Sequence, residues 1–180
     1  METIKYAIRK AAFGDAPIIA RHRVSMFRDM GQVPTDALAA ALLQASTAAL
    51  DESLRKGTYF GWLAIAETNR VLAGAGAHVQ LPLPRIAHDR TVTSALVPVV
   101  VNVYTEADVR GMGIARVLMN TLLRWAAHQG FDRVHLHASD AGRPLYQSLG
   151  FVPTNEMRWS PIGNVSPGGR MNEQHFLSNR

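Results

Sequence analysis

The segment Arg110–Ala115, with the sequence RGMGIA, constrains the fold more than any other part of the chain, because it joins two different hydrophobic patterns. The apolar run before it predicts a strand over Val97 to Thr105, and apolar residues at helical spacing after it predict a helix over Ile114 to His128. The N–H groups of such a turn and of the first helical turn converge where the helix dipole also favours negative charge. The glycines permit a sharp bend, and the arginine adds a forked cation. The sequence therefore predicts a diphosphate-binding loop.

Two common phosphate-binding motifs do not fit this segment. A P-loop carries Lys and then Ser or Thr after its last glycine, whereas Ile114 and Ala115 stand there. A dinucleotide-binding motif needs a third glycine where the chain has Arg116. The remaining pattern, R-x-x-G-x-A, resembles the acyl-CoA loop of the GNAT superfamily of N-acetyltransferases, whose pattern is Gln/Arg-x-x-Gly-x-Gly/Ala. The alternative is a helix N-terminus whose glycines only reverse the chain.

A second motif of the same family follows in the expected order. Gly130 is placed to end the helix, and a short strand over Arg133 to Ala138 and a helix near Ala141 to Leu149 are predicted next. The sequence PLYQSLGF, residues 144–151, resembles the family signature L-Y-x-x-x-G-F. Two motifs in the right order and at the right separation identify the chain as a member of the family.

The resemblance extends past this signature. Glu156-Met157, just before the apolar Trp159, resembles the strand that follows it in the family. The resemblance covers Val97 to Trp159 strongly, and it covers Ile4 to Gln80 by pattern only.

The order of the predicted elements also matches the family. They are a strand over Ile4 to Arg9, helices from Asp15 to about Met30 and from Thr35 to near Lys56, a β-hairpin formed by Phe60 to Glu67 and Val71 to Gln80, and a loop over Leu81 to Thr93. The resemblance implies an α/β fold, a three-layer sandwich in which helices flank a mixed, mostly antiparallel central sheet. Residues 1–160 would form the acetyltransferase domain, and the turn-rich residues 161–180 an appended tail.

Composition restricts the class of protein. A chain of 180 residues with 47% hydrophobic and 18% charged residues predicts one folded domain with its own core. The absence of cysteine excludes disulfides, a thiol nucleophile and a cysteine-ligated metal. No apolar stretch approaches the ~18 residues of a membrane span, and the N-terminus lacks an apolar signal core, so we expect a cytoplasmic location without a membrane partner.

The net charge of +5 raises the alternative of a nucleic-acid-binding protein, whose affinity would fall steeply with salt. The basic residues are scattered as single arginines, however, without a Lys/Arg run or a set of stacking aromatic residues. A modest positive field that attracts an anionic cofactor explains the charge equally well. We therefore expect no nucleic-acid partner.

The resemblance implies acetyl-CoA as co-substrate and assigns residues to it. In the family, the pantetheine arm pairs with the exposed backbone of the strand before the phosphate loop, here Asn102 to Thr105, and the Val103 N–H would face the thioester oxygen. The implied cofactor-binding residues are Val103, Tyr104, Thr105, Arg110, Gly111, Met112, Gly113, Ile114, Ala115, Ser139 and Tyr146. Two positions depart from the family pattern, because Ser139 replaces an Asn and Gly142 replaces an Ala. A serine hydroxyl can still form the hydrogen bond.

Acyl transfer to an amine needs an acid for the departing thiolate and a base for the amine. The resemblance implies that Tyr146 is the general acid, since the family places this hydroxyl near the CoA sulfur; the alternative is a core aromatic residue. Asn102 and Glu106 complete the candidate catalytic residues. The base stays open, with a water-relayed proton path as an alternative to a single side chain. The side chains considered for it are Glu106, Asp108, Glu67 and His78.

His135 and His137 lie two residues apart on one face of a predicted strand, a spacing that occurs in metal sites. No third ligand is close in sequence, and cysteine is absent. We therefore expect an ordinary sheet face and no metal.

The predicted function is that of an acyl-CoA-dependent N-acyltransferase, with acetyl-CoA as the donor and direct attack of a primary amine on the thioester. By resemblance, the acceptor, a small amine or a protein amino group, would meet Val24 to Thr35 and Leu81 to Thr93. Met26 to Met30 offers apolar surface and one charge of each sign, which indicates a small, partly apolar acceptor. The alternative is an acyl-CoA-binding sensor that has lost catalysis, since the strand before the loop carries no carboxylate.

A homodimer is predicted as well. The irregular tail from Pro161 and its Phe176-Leu177 pair have no evident place in a compact single domain. Two-fold dimers are also the commonest assembly of soluble proteins.

Overall fold

The structure of the protein is a computed structural model that describes residues 4–87, 89–154 and 156–157. Its strands are β1 (Tyr6–Lys10), β2 (Tyr59–Ala66), β3 (Val71–Gln80), β4 (Arg85–Ile86), β5 (Val92–Thr93), β6 (Val97–Thr105) and β7 (His135–Leu136). Five of them form one sheet in the order β1-β2-β3-β6-β7, and β4 pairs with β5 alone. Among the described strands only β6 and β7 pair in parallel, so the predicted mixed, mostly antiparallel sheet is confirmed.

Helices cover both faces of the five-stranded sheet. They are α1 (Ala16–Asp29), α2 (Asp36–Arg55), α3 (Ile114–His128) and α4 (Arg143–Ser148). Successive side chains of a strand point to opposite faces of its sheet. Leu63 of β2 belongs to a core cluster with Ile19 of α1 and Leu50 of α2. Its neighbour Trp62 contacts Trp125 of α3, with ring centroids 5.4 Å apart. α1 and α2 therefore lie on one face and α3 on the other, as the predicted sandwich requires.

The long helices begin and end close to the predicted residues, because local capping determines these positions. Thr35 accepts a hydrogen bond from the Leu38 N–H, 3.2 Å away, at the start of α2. Gly31 follows the end of α1 and Gly130 the end of α3, with φ of 70° and 76°, in the left-handed region that ends helices.

Two predicted segments differ in the structure. The strand expected over Arg133 to Ala138 contains only the two residues of β7. The segment Leu81 to Thr93, predicted as a loop, contains the β4–β5 hairpin. Arg85 of this hairpin makes two hydrogen bonds of 2.9 and 2.8 Å with the Asp132 carboxylate. This contact spans 47 residues of chain, so no local sequence pattern reveals it.

The chain forms two compact units, Met1–Leu149 and Gly150–Arg180. All the elements named above lie in the first unit. In the second, residues 150–154 and 156–157 are in neither helix nor strand. The strand predicted near Trp159 and the tail over residues 161–180 lie outside the described residues, so the domain boundary after residue 160 stays a prediction. Within the described ranges, no helix has both the length and the apolar character needed to cross a membrane.

Candidate active site

The turn between β6 and α3 presents a row of unpaired backbone donors. Gly111 and Gly113 adopt φ of +77° and +79°, in the left-handed region that favours glycine. Gly113 is also the N-cap of α3. No described residue accepts a hydrogen bond from the backbone N–H groups of residues 111–116. Consecutive free donors at a helix N-terminus are the arrangement that binds phosphate groups.

The Arg110 side chain next to this turn is held by three protein groups. Its Nε donates to the Thr105 carbonyl oxygen, 3.0 Å away, and its Nη2 forms an ion pair with the Asp29 carboxylate at the end of α1. The guanidinium also lies over the Tyr104 ring, 5.4 Å from its centroid. Arg110 therefore connects the turn to α1, and its contact with a diphosphate stays a prediction.

β6 separates from β7 beyond Val100. The two strands pair in parallel at Val99 and Val100 only. On its other edge, β6 continues to pair with β3 as far as Thr105. The edge of β6 over residues 101–105 therefore has no strand partner among the described residues, so its backbone groups can pair with an extended ligand. The family resemblance implies that pantetheine would pair with residues 102–105 of this strand, which stays a prediction.

A β-bulge lies at the start of this open edge. The pairing of β3 with β6 shifts register between Gly76 and Ala77, which leaves Val101 as the extra residue of β6. Arg23 of α1 donates from Nη1 to the Val101 carbonyl oxygen at 3.2 Å and to Asn102 Oδ1 at 2.9 Å. A side chain of α1 therefore holds the bulge in place.

Polar side chains at the end of β6 meet α1 on this face of the sheet. Asn102 is buried, and the Tyr104 ring lies 5.1 Å from the ring of His22, which is also buried. Glu106 Oε1 lies 3.0 Å from Arg21 Nη2 and 3.3 Å from His22 Nε2. The structure therefore places the candidates Asn102 and Glu106 on the same face, around a histidine.

A cavity of about 10 Å³ lies between α1 and the sheet, and its lining includes His22, Tyr59 and Asn102. That volume is enough for one water molecule. Neither ring nitrogen of His22 has a hydrogen-bond partner among the described residues, although Glu106 Oε1 lies 3.3 Å from Nε2, and Asn102 Nδ2 has none either. Buried polar atoms at a cavity of this size make a site that suits one bound water.

Glycines of β2 and β3 make room for the buried Tyr59 side chain. A Cβ on Gly76 would lie 2.0 Å from the Tyr59 hydroxyl oxygen, and a Cβ on Gly61 would lie 2.9 Å from the ring. A Cβ on Gly74 would lie 3.3 Å from His22 Nδ1. The Tyr59 side chain therefore leaves no room for a Cβ on Gly76 and little on Gly61. Leu63 and His22 make the space at Gly74 tight.

Burial controls protonation in this cluster. Desolvation lowers the pKa of His22 to about 4, although the neighbouring Glu106 acts in the opposite direction. His22 is therefore neutral near pH 7, with one ring nitrogen that donates and one that accepts. Burial also raises the pKa of Tyr59 and lowers the pKa of Arg23.

Tyr146 lies on α4, where Gly142 makes room for its ring. A Cβ on Gly142 would lie 2.9 Å from Tyr146 Cε2, so the glycine that departs from the family pattern permits this close packing. Ser139, the other departure, accepts a hydrogen bond from the Gly142 N–H at its Oγ, 3.2 Å away. Burial raises the pKa of the Tyr146 phenol, so the hydroxyl is protonated at neutral pH and is a weaker acid than an exposed tyrosine.

The other base candidates have structural environments of their own. Asp108 forms two hydrogen bonds of 2.7 and 2.6 Å with Arg70, and this contact lowers the pKa of its carboxyl. Glu67 is exposed after the end of β2. The ring of His78 lies 5.4 Å from that of Tyr59, and burial lowers the pKa of this histidine.

The two histidines considered for a metal, His135 and His137, are both exposed. In the part of the chain that the structure describes, no group of three or more His, Cys, Asp or Glu side chains is placed to hold a metal ion.

Three residues of this site, His22, Arg23 and Tyr59, are not singled out by the sequence. The contacts of Arg23 with β6 span 78 and 79 residues of chain, and periodicity within α1 marks only its apolar positions. The glycines of β3 are the available signal, because a strand with two glycines leaves space for a large side chain from a neighbouring element.

The chain is similar to known proteins in sequence and in structure. Residues 27–151 match the model of the acetyltransferase (GNAT) family. The solved structure of a GCN5-related N-acetyltransferase from Ralstonia eutropha JMP134 is 32% identical in sequence and covers 88% of this chain and 100% of its own, with a TM-score of 0.76. No curated protein sequence matches the chain.

Two further solved structures share the architecture. A predicted acetyltransferase with acetyl-CoA from Clostridium acetobutylicum is 25% identical and covers 88% of this chain and 97% of its own, with a TM-score of 0.74. The glucosamine-6-phosphate N-acetyltransferase from Arabidopsis thaliana is 14% identical and covers 88% of this chain and 99% of its own, with a TM-score of 0.60. At that identity the likeness concerns the fold alone.

Proposed function

Because the chain belongs to the acetyltransferase (GNAT) family, we propose that it is an N-acyltransferase that transfers the acetyl group of acetyl-CoA to a primary amine. The observation that carries this proposal is the row of unpaired N–H groups over residues 111–116, next to the open edge of β6. A similar solved structure is described with acetyl-CoA, which supports the choice of donor.

The residues present fit an acyl-CoA molecule. The free N–H groups of residues 111–116 and the dipole of α3 would bind its diphosphate. The open edge of β6 over residues 101–105 would pair with the amide groups of pantetheine, with the Val103 N–H as donor to the thioester oxygen. When bound, acetyl-CoA supplies the activated acyl group.

In the proposed reaction, the amine nitrogen bonds to the acyl carbon while the C–S bond breaks, so the amine loses a proton and the thiolate gains one. Tyr146 donates to the departing sulfur, and its place in the family motif at residues 144–151 supports this role. Glu106 takes the proton from the amine through His22 and a water in the neighbouring cavity. The 3.3 Å separation of Glu106 Oε1 from His22 Nε2 and the buried Nδ1 at the cavity support this route.

The alternative is a sensor that binds acyl-CoA without turnover. One observation favours it, because no residue of β6 carries a carboxylate, and Glu106 just beyond it is already paired with Arg21.

Incubation of a panel of primary amines with acetyl-CoA, with free thiol measured over time, separates the two functions. We expect thiol release that depends on an added amine. Tight binding of acetyl-CoA with no amine-dependent release across the panel would instead establish the sensor.

A further inference from the structure

Arg23 differs from the other two arginines of α1 in having no acidic partner among the described residues. On α1, Arg21 pairs with Glu106 and Arg28 with Asp36, and both contacts are 3.0 Å or shorter. Arg23 forms no ion pair with any described residue, and its two hydrogen bonds go to neutral acceptors, a backbone carbonyl and the Asn102 amide oxygen. Its positive charge is therefore not balanced locally.

Two of the three guanidinium nitrogens of Arg23 make no hydrogen bond to a described residue. Both hydrogen bonds leave from Nη1, whereas none of the described residues accepts from Nε or Nη2. The side chain is partly buried, and burial lowers its pKa, which shows that the environment disfavours an unbalanced charge. The Nε–Nη2 edge of a guanidinium presents two parallel donors, which match the two oxygens of a carboxylate.

The position of Arg23 places its guanidinium beside the proposed reaction. Nη1 is 3.2 Å from the carbonyl oxygen of Val101, the bulge residue at the start of the open edge of β6. Val103, proposed as the donor to the thioester oxygen, is two residues further along, a distance of about 7 Å in a strand. A substrate that spans this distance has its amine and its anionic group separated by only a few bonds.

An apolar ring lies against the Arg23 guanidinium. The guanidinium carbon of Arg23 lies 4.8 Å from the centroid of the Phe27 ring, one turn further along α1. Phe27 is partly buried, so its ring keeps some exposed apolar surface. A substrate bound to Arg23 would thus meet an apolar wall.

We propose that Arg23 binds a carboxylate of the acceptor, so that the preferred substrate is a free apolar α-amino acid rather than a neutral amine, polyamine or protein amino group. A carboxylate suits the site better than a phosphate, because one guanidinium edge balances one negative charge. This inference rests on the proposed N-acyltransferase function.

Matched acceptor pairs test the proposal. The kcat and KM values of leucine, methionine and phenylalanine are compared with those of their amides, with saturating acetyl-CoA. We expect wild-type kcat/KM to favour each free amino acid by roughly tenfold or more, the ratio that a charge-assisted hydrogen-bonded pair supplies. The amide has the less basic amine and more of it is unprotonated at neutral pH, so amine reactivity cannot produce this preference.

Variants separate binding of the carboxylate from support of the bulge. Arg23→Gln should raise KM for the amino acids at least about tenfold more than it raises KM for the amides, because any loss of support for the bulge affects both acceptors, whereas Arg23→Lys should fall between. Arg55→Gln, which removes an arginine paired with Asp51 at the end of α2, is the control and should keep the wild-type preference. Equal loss for acids and amides in Arg23→Gln would show a structural role only, and equal use of acids and amides by wild type would overturn the proposal.

A binding measurement distinguishes failure of this inference from failure of the proposed function. Calorimetric titration of leucine and leucinamide into the protein saturated with CoA does not depend on turnover. Binding of leucine alone that is lost in Arg23→Gln, without turnover of any amine, would support the carboxylate site and contradict the acyltransferase. Turnover of amines without this preference would support the acyltransferase and contradict the carboxylate site. The absence of both binding and turnover would contradict both proposals.

Discussion

The role of the Tyr146 hydroxyl as a proton donor in the proposed reaction can be tested directly. We expect Tyr146→Phe to lower kcat by about a hundredfold, the low end of the ~10²–10⁴-fold that a general acid contributes, with little change in the KM for acetyl-CoA. The ring that packs on Gly142 is kept, so only the hydroxyl is lost. Steady-state kinetics measure both constants. A change in kcat below about twofold, with chemistry shown to be rate-limiting, would make Tyr146 a packing residue.

Gly76 is important for packing because it has no side chain beside the buried Tyr59 ring. Gly76→Ala would place a Cβ 2.0 Å from the Tyr59 hydroxyl oxygen, and the buried ring cannot move aside freely. We expect the free energy of unfolding to fall by about 1–3 kcal/mol, as for other overpacked sites. Gly14→Ala is the control, because a Cβ there meets nothing within 4 Å. Denaturant titration that shows equal stability for the two variants would contradict the close approach of Tyr59.

Among the elements, α3 and the turn before it are those that the sequence predicts most completely. Their bounds depend on local features, the apolar spacing of the helix, Gly113 at its start and Gly130 at its end. The two glycines of β3 are a local signal for the bulge at Val101, but its contact with Arg23 of a distant helix is not predictable in this way. The β4–β5 hairpin is not predictable from local sequence either, because Arg85 of the hairpin bonds to Asp132, 47 residues along the chain.

The contact between α1 and the end of β6 makes the fold sensitive to pH through His22. Its folded-state pKa, about 4, lies below its ordinary value of 6.5. Between these values the unfolded chain binds a proton that the folded chain does not, so the free energy of unfolding falls as the pH falls. We expect His22 to account for a loss of about 2 kcal/mol between pH 7 and pH 5.

Urea denaturation of wild type and His22→Gln at pH 7 and pH 5 measures this contribution. The variant should lose about 2 kcal/mol less than wild type between the two pH values, because it has no group to protonate at this position. His78, whose pKa is also lowered, is present in both proteins and cancels in the comparison. The same pH-dependent loss in both proteins would show that His22 is not buried as described.

For the whole molecule, the family and the fold are predictable from two motifs and the order of elements, but the chemistry of the acceptor site is not. The turn proposed to bind CoA and Tyr146 lie in contiguous motifs, so the sequence alone can suggest them. His22 and Arg23 act through contacts with residues far along the chain, which only the folded structure brings together. Related folds carry different substrates for this reason.

The oligomeric state is a further property of the whole molecule, and we propose a dimer. The predicted contribution of Phe176-Leu177 lies outside the described residues. Apolar residues on and beside the β4–β5 hairpin support self-association, because Leu83, Ile86 and Val92 are 87%, 64% and 73% exposed. We expect light scattering at high micromolar concentration to give twice the monomer mass, and Leu83→Asp to lower it. A wild-type monomer at that concentration would contradict the dimer.

The central proposal is that the protein transfers an acetyl group and that this transfer depends on the loop between β6 and α3. Mass spectrometry of an amine incubated with acetyl-CoA tests it most directly. Gly113→Glu places an anion and a side chain at a residue with φ of +79°, and Arg110→Ala removes the adjacent cation. Circular dichroism first confirms that each variant is folded. We expect wild type to acetylate the amine, Gly113→Glu to show almost no product, and Arg110→Ala to need more acetyl-CoA. If the folded Gly113→Glu variant acetylated the amine as well as wild type does, the proposal would be contradicted. It would also be contradicted if wild type bound acetyl-CoA but produced no acetylated amine.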